Sequence, residues 1–455
     1  MIENSLDNNQ IFFDEDENES DESQELVLPA EKREVISQAT DDKVGSLYHD
    51  CQRGRLLIQP DFQRHFVWDR QKATSLIESA LLGIPLPVVY LAEEEKGKKS
   101  VIDGQQRLTS FFSFISGKFP DGKEFKLGKM QVFHELKGKA YADLNDEYQA
   151  RIEDCPIRTI TFLKGSDPEL KFNVFERLNT GAVALNDQEL RNCIYRGKYN
   201  ELLKELAADP DFKFILGIEG QERRMLDVEL VLRFAAFRNM TYLHYKPPIK
   251  SFLNEEMRER QNLSDDKAEE IKAAFKNSVS LIKSLLGEKA FRRYLPGTSS
   301  NTRGDWEPKK FNASLFDVLM FGFADKDKNL VMRNLDAIRE AYIDLMTSDE
   351  EFIEAIVRST SSLQAVKKRF DKWRLRLDAI LDADEPQDRC FSNALKQQMF
   401  DAAPTCAICG QQIMSIDDAA VDHIEQYWLG GKTKPENARL AHRYCNCARS
   451  KNDVV

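Results

Sequence analysis

Apolar residues recur at strand or helix spacing along most of the chain, and the pattern divides it into three folded segments. Residues 35–195 alternate short apolar runs with helical stretches, which predicts an α/β domain. Residues 196–381 show helical spacing and few strand signals, which predicts a helical domain. Residues 382–455 begin with a polar linker at 382–388 and continue into a terminal module. The pattern therefore predicts an α+β multidomain protein.

The same spacing predicts individual elements. In the α/β domain it predicts strands at 55–58, 88–91, 101–102 and 157–162, helices at 72–82 and 108–115, and a charged hairpin at 93–99. In the helical domain it predicts helices at 227–237, 268–286, 315–323, 331–346 and 351–356, with breaks at 247–248, 296–298 and 325–328. A short helix at 393–400 is expected to lead into the terminal module.

The negative charge of the chain is concentrated at its N-terminus. The formal net charge is −11, and residues 1–34 account for −10 of it. Such a polar, acidic segment buries too little apolar surface to offset its ordering entropy, so we expect disorder. A sharper interpretation is that the acidic run mimics DNA and occupies a basic groove. The remaining chain is near neutral, so binding of DNA would depend on local basic patches.

Hydropathy and cysteine usage point to a reducing compartment. No run of about 18 apolar residues predicts a membrane-spanning helix, and the acidic N-terminus does not resemble a signal peptide, so we expect a cytoplasmic protein without a membrane partner. Of eight cysteines, four fall in the last fifty residues, which favours metal binding over disulfides. The four scattered cysteines are expected to be small buried side chains; they are Cys51, Cys155, Cys193 and Cys390.

The terminal module carries two pairs of potential zinc ligands. Cys406 and Cys409 form one Cys-x-x-Cys pair, and His442 and Cys445 form the second pair. Structural zinc is commonly held by four tetrahedral ligands from two such tight turns. Cys447 is an alternative to His442, but a Cys-x-Cys pair fits a tight turn less well. A module of this size would gain much of its stability from the metal.

Polar residues between these pairs suit phosphodiester hydrolysis. His423 is a candidate general base, because histidine titrates near neutrality. Asp422 offers a hard oxygen ligand for Mg²⁺ or Mn²⁺, and Asn446 offers a second. Neighbouring strand residues point to opposite faces, so Asp422 and His423 share a site only through a twisted or bulged backbone. Asn437 is expected to orient the histidine.

Basic side chains of the module suit contact with the DNA backbone. They are Arg439, Arg443, Arg449 and Lys451. Three further basic clusters lie at 223–224, 292–293 and 367–369, where they either touch phosphate or form solvated helix faces.

A second candidate site follows the predicted strand at 101–102. Asp103, Gly104, Gln105, Gln106 and Arg107 stand where a strand ends and a helix begins. Backbone N–H groups, the helix dipole and the arginine would then converge on one place, which suits a phosphate. The alternative is that Asp103 caps the helix and Arg107 lies on a solvated face.

Another polar cluster surrounds a glycine turn near residue 181. Its members, Arg177, Asn179, Thr180 and Gln188, lie between a helix that ends near Asn179 and a helix that starts from Asn186. They could face a ligand, but we favour ordinary helix capping.

Three motifs in this order resemble a known domain. QPDFQRHFVW at 59–68, DGQQR at 103–107 and FERLNTGAVALNDQELRN at 175–192 are similar to the N-terminal domain of GmrSD-type modification-dependent restriction enzymes and of SspE-like anti-phage nucleases. The resemblance implies a ParB/sulfiredoxin-like fold that binds and hydrolyses a nucleoside triphosphate. It assigns the nucleotide to Asp103, Gly104, Gln105, Gln106, Arg107 and Asn179. It assigns the sensing of modified DNA to Gln63 and Arg64.

The terminal module resembles the HNH endonucleases, whose ββα-metal fold surrounds one catalytic cation. The intervals of 14 residues from His423 to Asn437 and nine from Asn437 to Asn446 fit that family, in an H-N-N variety. The resemblance implies cleavage that leaves 5′-phosphate and 3′-hydroxyl ends.

Together these patterns predict an NTP-regulated DNA endonuclease of anti-phage defence. It would take structural Zn²⁺, catalytic Mg²⁺ or Mn²⁺ and a nucleoside triphosphate, and act on phage DNA, modified DNA included. The alternative is a nucleotide-gated DNA-binding regulator whose zinc module is structural and non-catalytic. The sequence does not say which DNA modification or sequence is recognised, or which triphosphate binds and whether it activates or inhibits. It also leaves open whether the product is a nick or a double-strand break, and the oligomeric state, a homo-oligomer included.

Overall fold

The computed structural model describes most of the chain after residue 34. The described residues are 35–58, 68–166, 168–178, 185–220, 222, 224–308, 311–382, 391–425 and 431–452. Several predictions lie outside them, namely those for the acidic segment, most of the linker, Gln63, Arg64, Asn179, Thr180 and Cys390. The described residues form a mixed α+β structure of two compact units, one from residues 35–200 with 224–225 and one from 201–222 with 226–452.

The N-terminal unit is built around one mixed sheet. Its elements are β1 (Ser37–Lys43), α1 (Val44–Gln52), β2 (Leu56–Leu57), α2 (Arg70–Leu81), β3 (Val89–Glu93), β4 (Lys99–Asp103), α3 (Gln105–Ser116), α4 (Asp146–Glu153), β5 (Pro156–Phe162), α5 (Pro168–Leu178) and α6 (Asp187–Ile194). The sheet order is β1-β5-β3-β4-β2. β1 pairs with β5 and β3 with β4 in antiparallel fashion, whereas β3–β5 and β2–β4 are parallel.

The sequence predicted the interior strands but not β1. The SQATDDK sequence of β1 has no apolar alternation, because this strand lies at the sheet edge and most of its side chains are exposed. It is held to β5 by the full backbone ladder and by a 2.8 Å hydrogen bond between the hydroxyls of Thr40 and Thr159. The sequence of β1 therefore lacks the apolar alternation that would have predicted a strand.

The C-terminal unit is mainly helical. Its elements are α7 (Lys198–Ala207, which begins in the other unit), α8 (Pro210–Leu216), α9 (Leu226–Met240), α10 (Ile249–Arg260), α11 (Asp265–Leu286), β6 (Tyr294–Leu295), β7 (Asp305–Trp306), α12 (Ala313–Phe323), α13 (Lys328–Arg333), α14 (Leu335–Ser348), α15 (Glu350–Val357), α16 (Leu363–Leu381), α17 (Asn393–Ala402), β8 (Ala419–His423), β9 (Ala438–His442) and α18 (Arg443–Asn452). None of the helices in the described residues is long and apolar enough to cross a bilayer.

The prediction of one helix over residues 331–346 is wrong. α13 and α14 meet at Asn334, whose backbone leaves the helical region with φ −103° and ψ 15°. The Asn334 side-chain amide donates to the carbonyl of Leu330 at 3.0 Å. Asparagine competes for backbone partners in this way, and the apolar spacing continues across the break.

In each of the three basic clusters, one arginine that the structure describes forms an ion pair with a carboxylate. The pairs are Arg224–Glu189, Arg293–Glu307 and Arg369–Asp317. Asp317 also accepts two hydrogen bonds from Arg233, at 3.0 and 2.7 Å. The Asp317 and Arg369 side chains are 0% and 1% exposed, so this cluster belongs to the core of the helical region.

The terminal module packs on the helical region through buried charges. Arg443, the first residue of α18, has a side chain that is 3% exposed, and its guanidinium lies 2.9 Å from the carboxylate of Glu340 on α14. Lys396 of α17 lies 3.2 Å from the same carboxylate. Burial alone would raise the pKa of Glu340, but Arg443 and Lys396 outweigh it and leave that pKa below its usual value.

A second contact lies just before β8. Asp417 binds Lys289, Arg339 at 2.6 Å and the Trp306 indole N–H at 3.1 Å. Burial opposes the charge of Asp417, and the cations nevertheless hold its pKa below the usual value. The neighbouring Asp418 accepts a hydrogen bond from the Tyr294 hydroxyl at 3.1 Å. The sequence did not predict the small β6–β7 hairpin, which forms part of the surface against which the terminal module packs.

We predict that Glu340→Gln loosens the terminal module. Arg443 and Lys396 would keep a neutral acceptor in place of a carboxylate, so opening of α18 should become easier by on the order of 3 kcal/mol. Hydrogen exchange of the α18 amides measures this opening. The folded-state pKa of Glu340 lies below its usual value, so its carboxylate stabilises the docked module at neutral pH in the wild type. This stabilisation is lost as the pH falls through the folded-state pKa.

The matched control is Glu351→Gln. Glu351 pairs with Lys372 and Lys368, but its side chain is 61% exposed, so exchange of α18 should not change. Equal exchange in Glu340→Gln and wild type would contradict this account of the docking.

Candidate functional site

The four predicted zinc ligands converge in the structure. The ligand atoms of Cys406, Cys409, His442 and Cys445 all lie within 4.8 Å of one another. The Nδ1 atom of His442 is 3.3 Å from the Cys409 sulfur and 3.9 Å from the Cys445 sulfur. Three of the four side chains are buried, and Cys409 is exposed.

Local backbone geometry places these ligands. The N–H groups of Cys409 and His442 point at the Cys406 sulfur, at 3.5 and 3.3 Å. Gly410 follows with φ +74°, a left-handed turn that glycine adopts without steric cost. His442 ends β9, and Cys445 lies in the first turn of α18. The cluster therefore ties the first turn of the module to its last strand and helix.

The cluster fits zinc by its donors and its surroundings. Three sulfurs and one imidazole nitrogen are the donors of a common structural zinc site. Nε2 of His442 lies 3.4 Å from the Gln412 carbonyl, and such an outer contact fixes the ring so that Nδ1 faces the sulfurs. Burial raises the pKa of the Cys445 thiol, so a cation must displace its proton to bind.

His423 lies at the end of β8, half-buried between two side chains from other parts of the chain. Its Nε2 atom is 3.0 Å from the Thr433 hydroxyl. The Phe391 ring lies against it, with ring centroids 4.4 Å apart and planes inclined by 40°. No sequence motif marks either neighbour, so neither was predictable from the sequence.

Asn437 makes its hydrogen bonds to backbone groups on both sides of the β8–β9 connection. Its amide accepts from the Glu425 N–H at 2.8 Å and donates to the carbonyls of Glu425 and Lys432 at 3.0 and 2.9 Å. Gly431 lies so close that a Cβ there would be 1.9 Å from the Glu425 carbonyl oxygen. Asn437 therefore holds Glu425 and Lys432 together, and its expected role in orienting His423 stays a prediction.

Asp422 forms an ion pair with Arg439 on the neighbouring strand. The Nε and Nη2 atoms of Arg439 are 2.8 and 2.7 Å from Oδ2 of Asp422. The β8–β9 register is continuous, with Asp422 opposite Arg439 and His423 opposite Ala438. A regular strand directs the Asp422 and His423 side chains to opposite faces. Asn446 lies half-buried in the first helical turns of α18.

The expectation that Arg443 contacts DNA is wrong. Its side chain is buried, and its guanidinium binds Glu340 and the Asp417 carbonyl. Arg439 is likewise bound to Asp422. The side chains of Arg449 and Lys451 lie outside the described part of the chain.

The DGQQR segment joins β4 to α3 as predicted. Gly104 is the N-cap residue of α3, with φ +96°, and a Cβ there would lie 2.6 Å from the side chain of Val89. Arg107 is 12% exposed and donates to Asp103 at 2.9 Å and to the Val88 carbonyl at 3.1 Å. Burial lowers the pKa of Arg107. The alternative, with Asp103 as cap and Arg107 on a solvated face, is therefore wrong. The Oε1 atom of Gln106 is buried and has no hydrogen-bond partner among the described residues.

The second polar cluster supports the capping interpretation. The Asn186 side chain accepts from the Glu189 N–H at 2.8 Å, and the Glu189 carboxylate accepts from the Asn186 N–H at 2.7 Å. This capping box starts α6. Gln188 is buried and accepts from Arg191 at 3.2 Å, and Arg177 is exposed.

We predict that Cys406→Ser removes bound zinc and unfolds the terminal module. Elemental analysis should find one zinc per wild-type chain and less in the variant, and limited proteolysis should then cut within residues 404–452. Cys51→Ser, which changes a half-buried thiol of the other unit, should keep the metal. Retention of zinc and of protease resistance in Cys406→Ser would show that the assignment is wrong.

Comparison with known proteins identifies both ends of the chain. Residues 44–196 match the family model of the GmrSD restriction endonuclease N-terminal domain, and residues 406–452 match that of the HNH endonucleases. An uncharacterised protein of Methanocaldococcus jannaschii is 32% identical over 121 residues, which cover 21% of this chain and 20% of that protein. The chain thus spans about a fifth of the length of this curated relative. No solved structure matches. One polypeptide therefore combines a GmrSD-type N-terminal domain with a C-terminal HNH endonuclease domain.

Proposed function

We propose that the protein is an NTP-regulated, restriction-type DNA endonuclease that cuts phage DNA, modified DNA included. The observation that carries the proposal is the position of His423. It lies in a two-stranded sheet and helix that match the HNH endonucleases, and Thr433 and Phe391 hold it there; the same module carries the Cys₃His cluster. A module that only bound zinc would have no need of a positioned histidine.

The chemistry assigned to His423 is general-base catalysis. Its imidazole takes a proton from a water molecule as the water oxygen bonds to phosphorus. The bond between phosphorus and the 3′ oxygen breaks, and that oxygen takes a proton from solvent. The products are 5′-phosphate and 3′-hydroxyl ends. Asn437 contributes by holding the backbone groups of Glu425 and Lys432 in place.

We assign the divalent cation, Mg²⁺ or Mn²⁺, to Asp422 and Asn446. The donor set fits, since Mg²⁺ is commonly bound by one or two protein oxygens and keeps several waters. Arg439 lies against the Oδ2 atom of Asp422, so the cation would take the place of this contact. When bound, the cation would neutralise charge that develops on the phosphate.

The nucleotide site is assigned to Asp103, Gly104, Gln105, Gln106 and Arg107, with Asn179, in a ParB/sulfiredoxin-like N-terminal domain. Support comes from the start of α3 directly after β4, which points helix N–H groups to one place, and from the inward-held Arg107. Hydrolysis of the triphosphate and sensing of modified DNA by Gln63 and Arg64 are parts of the same proposal.

One observation favours a competing function. The ion pair between Asp422 and Arg439 occupies a carboxylate that the nuclease needs for its cation. A module locked in this state would bind DNA without cutting it, and the protein would be a nucleotide-gated DNA-binding regulator. Cleavage assays separate the two functions.

We predict that His423→Ala lowers Mg²⁺-dependent cleavage of phage DNA by about 10²- to 10⁴-fold, because it removes the general base. Gel assays should use DNA with and without base or backbone modification, with the triphosphate varied. His134→Ala, which removes an exposed histidine of the other unit, is the control and should cut normally. Absence of cutting by the wild type with either Mg²⁺ or Mn²⁺ would favour the regulator.

We predict that Arg107→Ala weakens triphosphate binding about 10- to 100-fold, the range expected for loss of charge-assisted hydrogen bonds to phosphate. Calorimetric titration with ATP and GTP measures it. Arg158→Ala removes an arginine that pairs with Asp41 on the same sheet and should leave binding unchanged. Equal affinity of Arg107→Ala and wild type would rule out this site.

A further inference from the structure

We propose that Thr433 is a positioning residue for His423: its hydroxyl accepts the Nε2–H of the imidazole, so that Nδ1 faces the attacking water as the base. Phe391 holds the same ring from its side. This inference rests on the proposed nuclease function, and it assigns roles to two residues outside the H-N-N pattern.

The contact geometry supports this assignment. The Nε2 atom of His423 and the Thr433 oxygen are 3.0 Å apart, a normal hydrogen-bond distance. A neutral imidazole has one N–H and one acceptor nitrogen, and the partner of one nitrogen decides which form is present. The Thr433 hydroxyl can donate or accept; in our proposal it accepts, which favours the Nε2–H form and leaves the lone pair on Nδ1. The opposite polarity would place the proton on Nδ1 and disable that atom as a base.

The chain around Thr433 is built to hold it there. Asn437 ties Lys432, the residue before Thr433, to Glu425, two residues after His423. Gly431 permits this approach, because any side chain there would collide with the Glu425 carbonyl. The two segments are thus fixed relative to each other by three side-chain hydrogen bonds of one asparagine. Asn437 therefore acts on His423 through Thr433.

Phe391 restricts the ring in the remaining direction. It precedes α17, so it comes from a segment that is distant in sequence from both strands. Its ring lies 4.4 Å from the imidazole, centroid to centroid, at 40°. Aromatic contact of this kind opposes a flip of the imidazole about its χ2 bond. The hydroxyl then selects the tautomer, and the phenyl ring keeps the orientation.

The test compares Thr433→Val with Thr433→Ser in the full-length, zinc-loaded protein. The valine variant has no acceptor, so kcat for Mg²⁺-dependent cleavage of phage DNA should fall about tenfold, with KM unchanged. In ¹⁵N-histidine spectra, recorded without Mg²⁺ and with the ring neutral, the Nδ1–H form of His423 should appear. The serine variant keeps a hydroxyl and should restore both the rate and the Nε2–H form. Thr405→Val, at an exposed threonine of the same module, should match the wild type in both.

Each outcome decides the proposal. An Nδ1–H form in the wild type overturns it, as does an unchanged tautomer in Thr433→Val, whatever the rate. If Thr433→Val loses zinc, Thr433→Ala removes the hydroxyl without added bulk and takes its place. The spectrum needs no cleavage, so a wild type that cuts no DNA would refute the proposed function and still leave the tautomer to be read.

Discussion

A buried guanidinium joins the terminal module to the helical region. Arg443 lies between the carboxylate of Glu340 and the carbonyl of Asp417, away from water. Removing such a charge from solvent is costly, so it stays buried only while both partners are in place. His442 precedes it and Cys445 follows two residues later, and both belong to the Cys₃His cluster that could hold a metal ion. The metal cluster and the packing on α14 therefore depend on one another.

The position of His423 depends on the same contacts. The core of the terminal module is small and includes two residues of the Cys₃His cluster, Cys406 and Cys445, so apolar burial alone would hold its strands weakly. The cluster fixes where β9 ends and α18 begins, and Asn437 fixes where β9 starts. His423 is the last residue of β8, which pairs with β9 along its whole length. Each contact is local, and together they place one imidazole against Thr433 and Phe391.

The sequence predicted what short-range patterns encode. The interior strands of the N-terminal sheet and several helices of both units were expected within a few residues of their observed bounds, as α2 and α11 show. The convergence of Cys406, Cys409, His442 and Cys445 was predictable because pairs of ligands in two tight turns have a characteristic spacing. β1 was missed because an edge strand needs no apolar alternation, and the break at Asn334 because apolar spacing runs through it. Arg443 was misjudged as a DNA contact because its partner Glu340 is 103 residues away. Thr433 and Phe391 become visible only once the chain is folded.

The five consecutive residues from His442 to Asn446 have several roles. They include two residues of the Cys₃His cluster, the arginine that binds α14 and the asparagine proposed to bind the catalytic cation. Transplanting residues 406–452 to another scaffold would therefore expose Arg443 and leave it without Glu340. Residues 406–452 match a family as one domain, but this domain depends on contacts with the rest of the chain. Recombination that exchanges HNH segments between proteins of this kind should succeed only when the matching face of α14 travels with them.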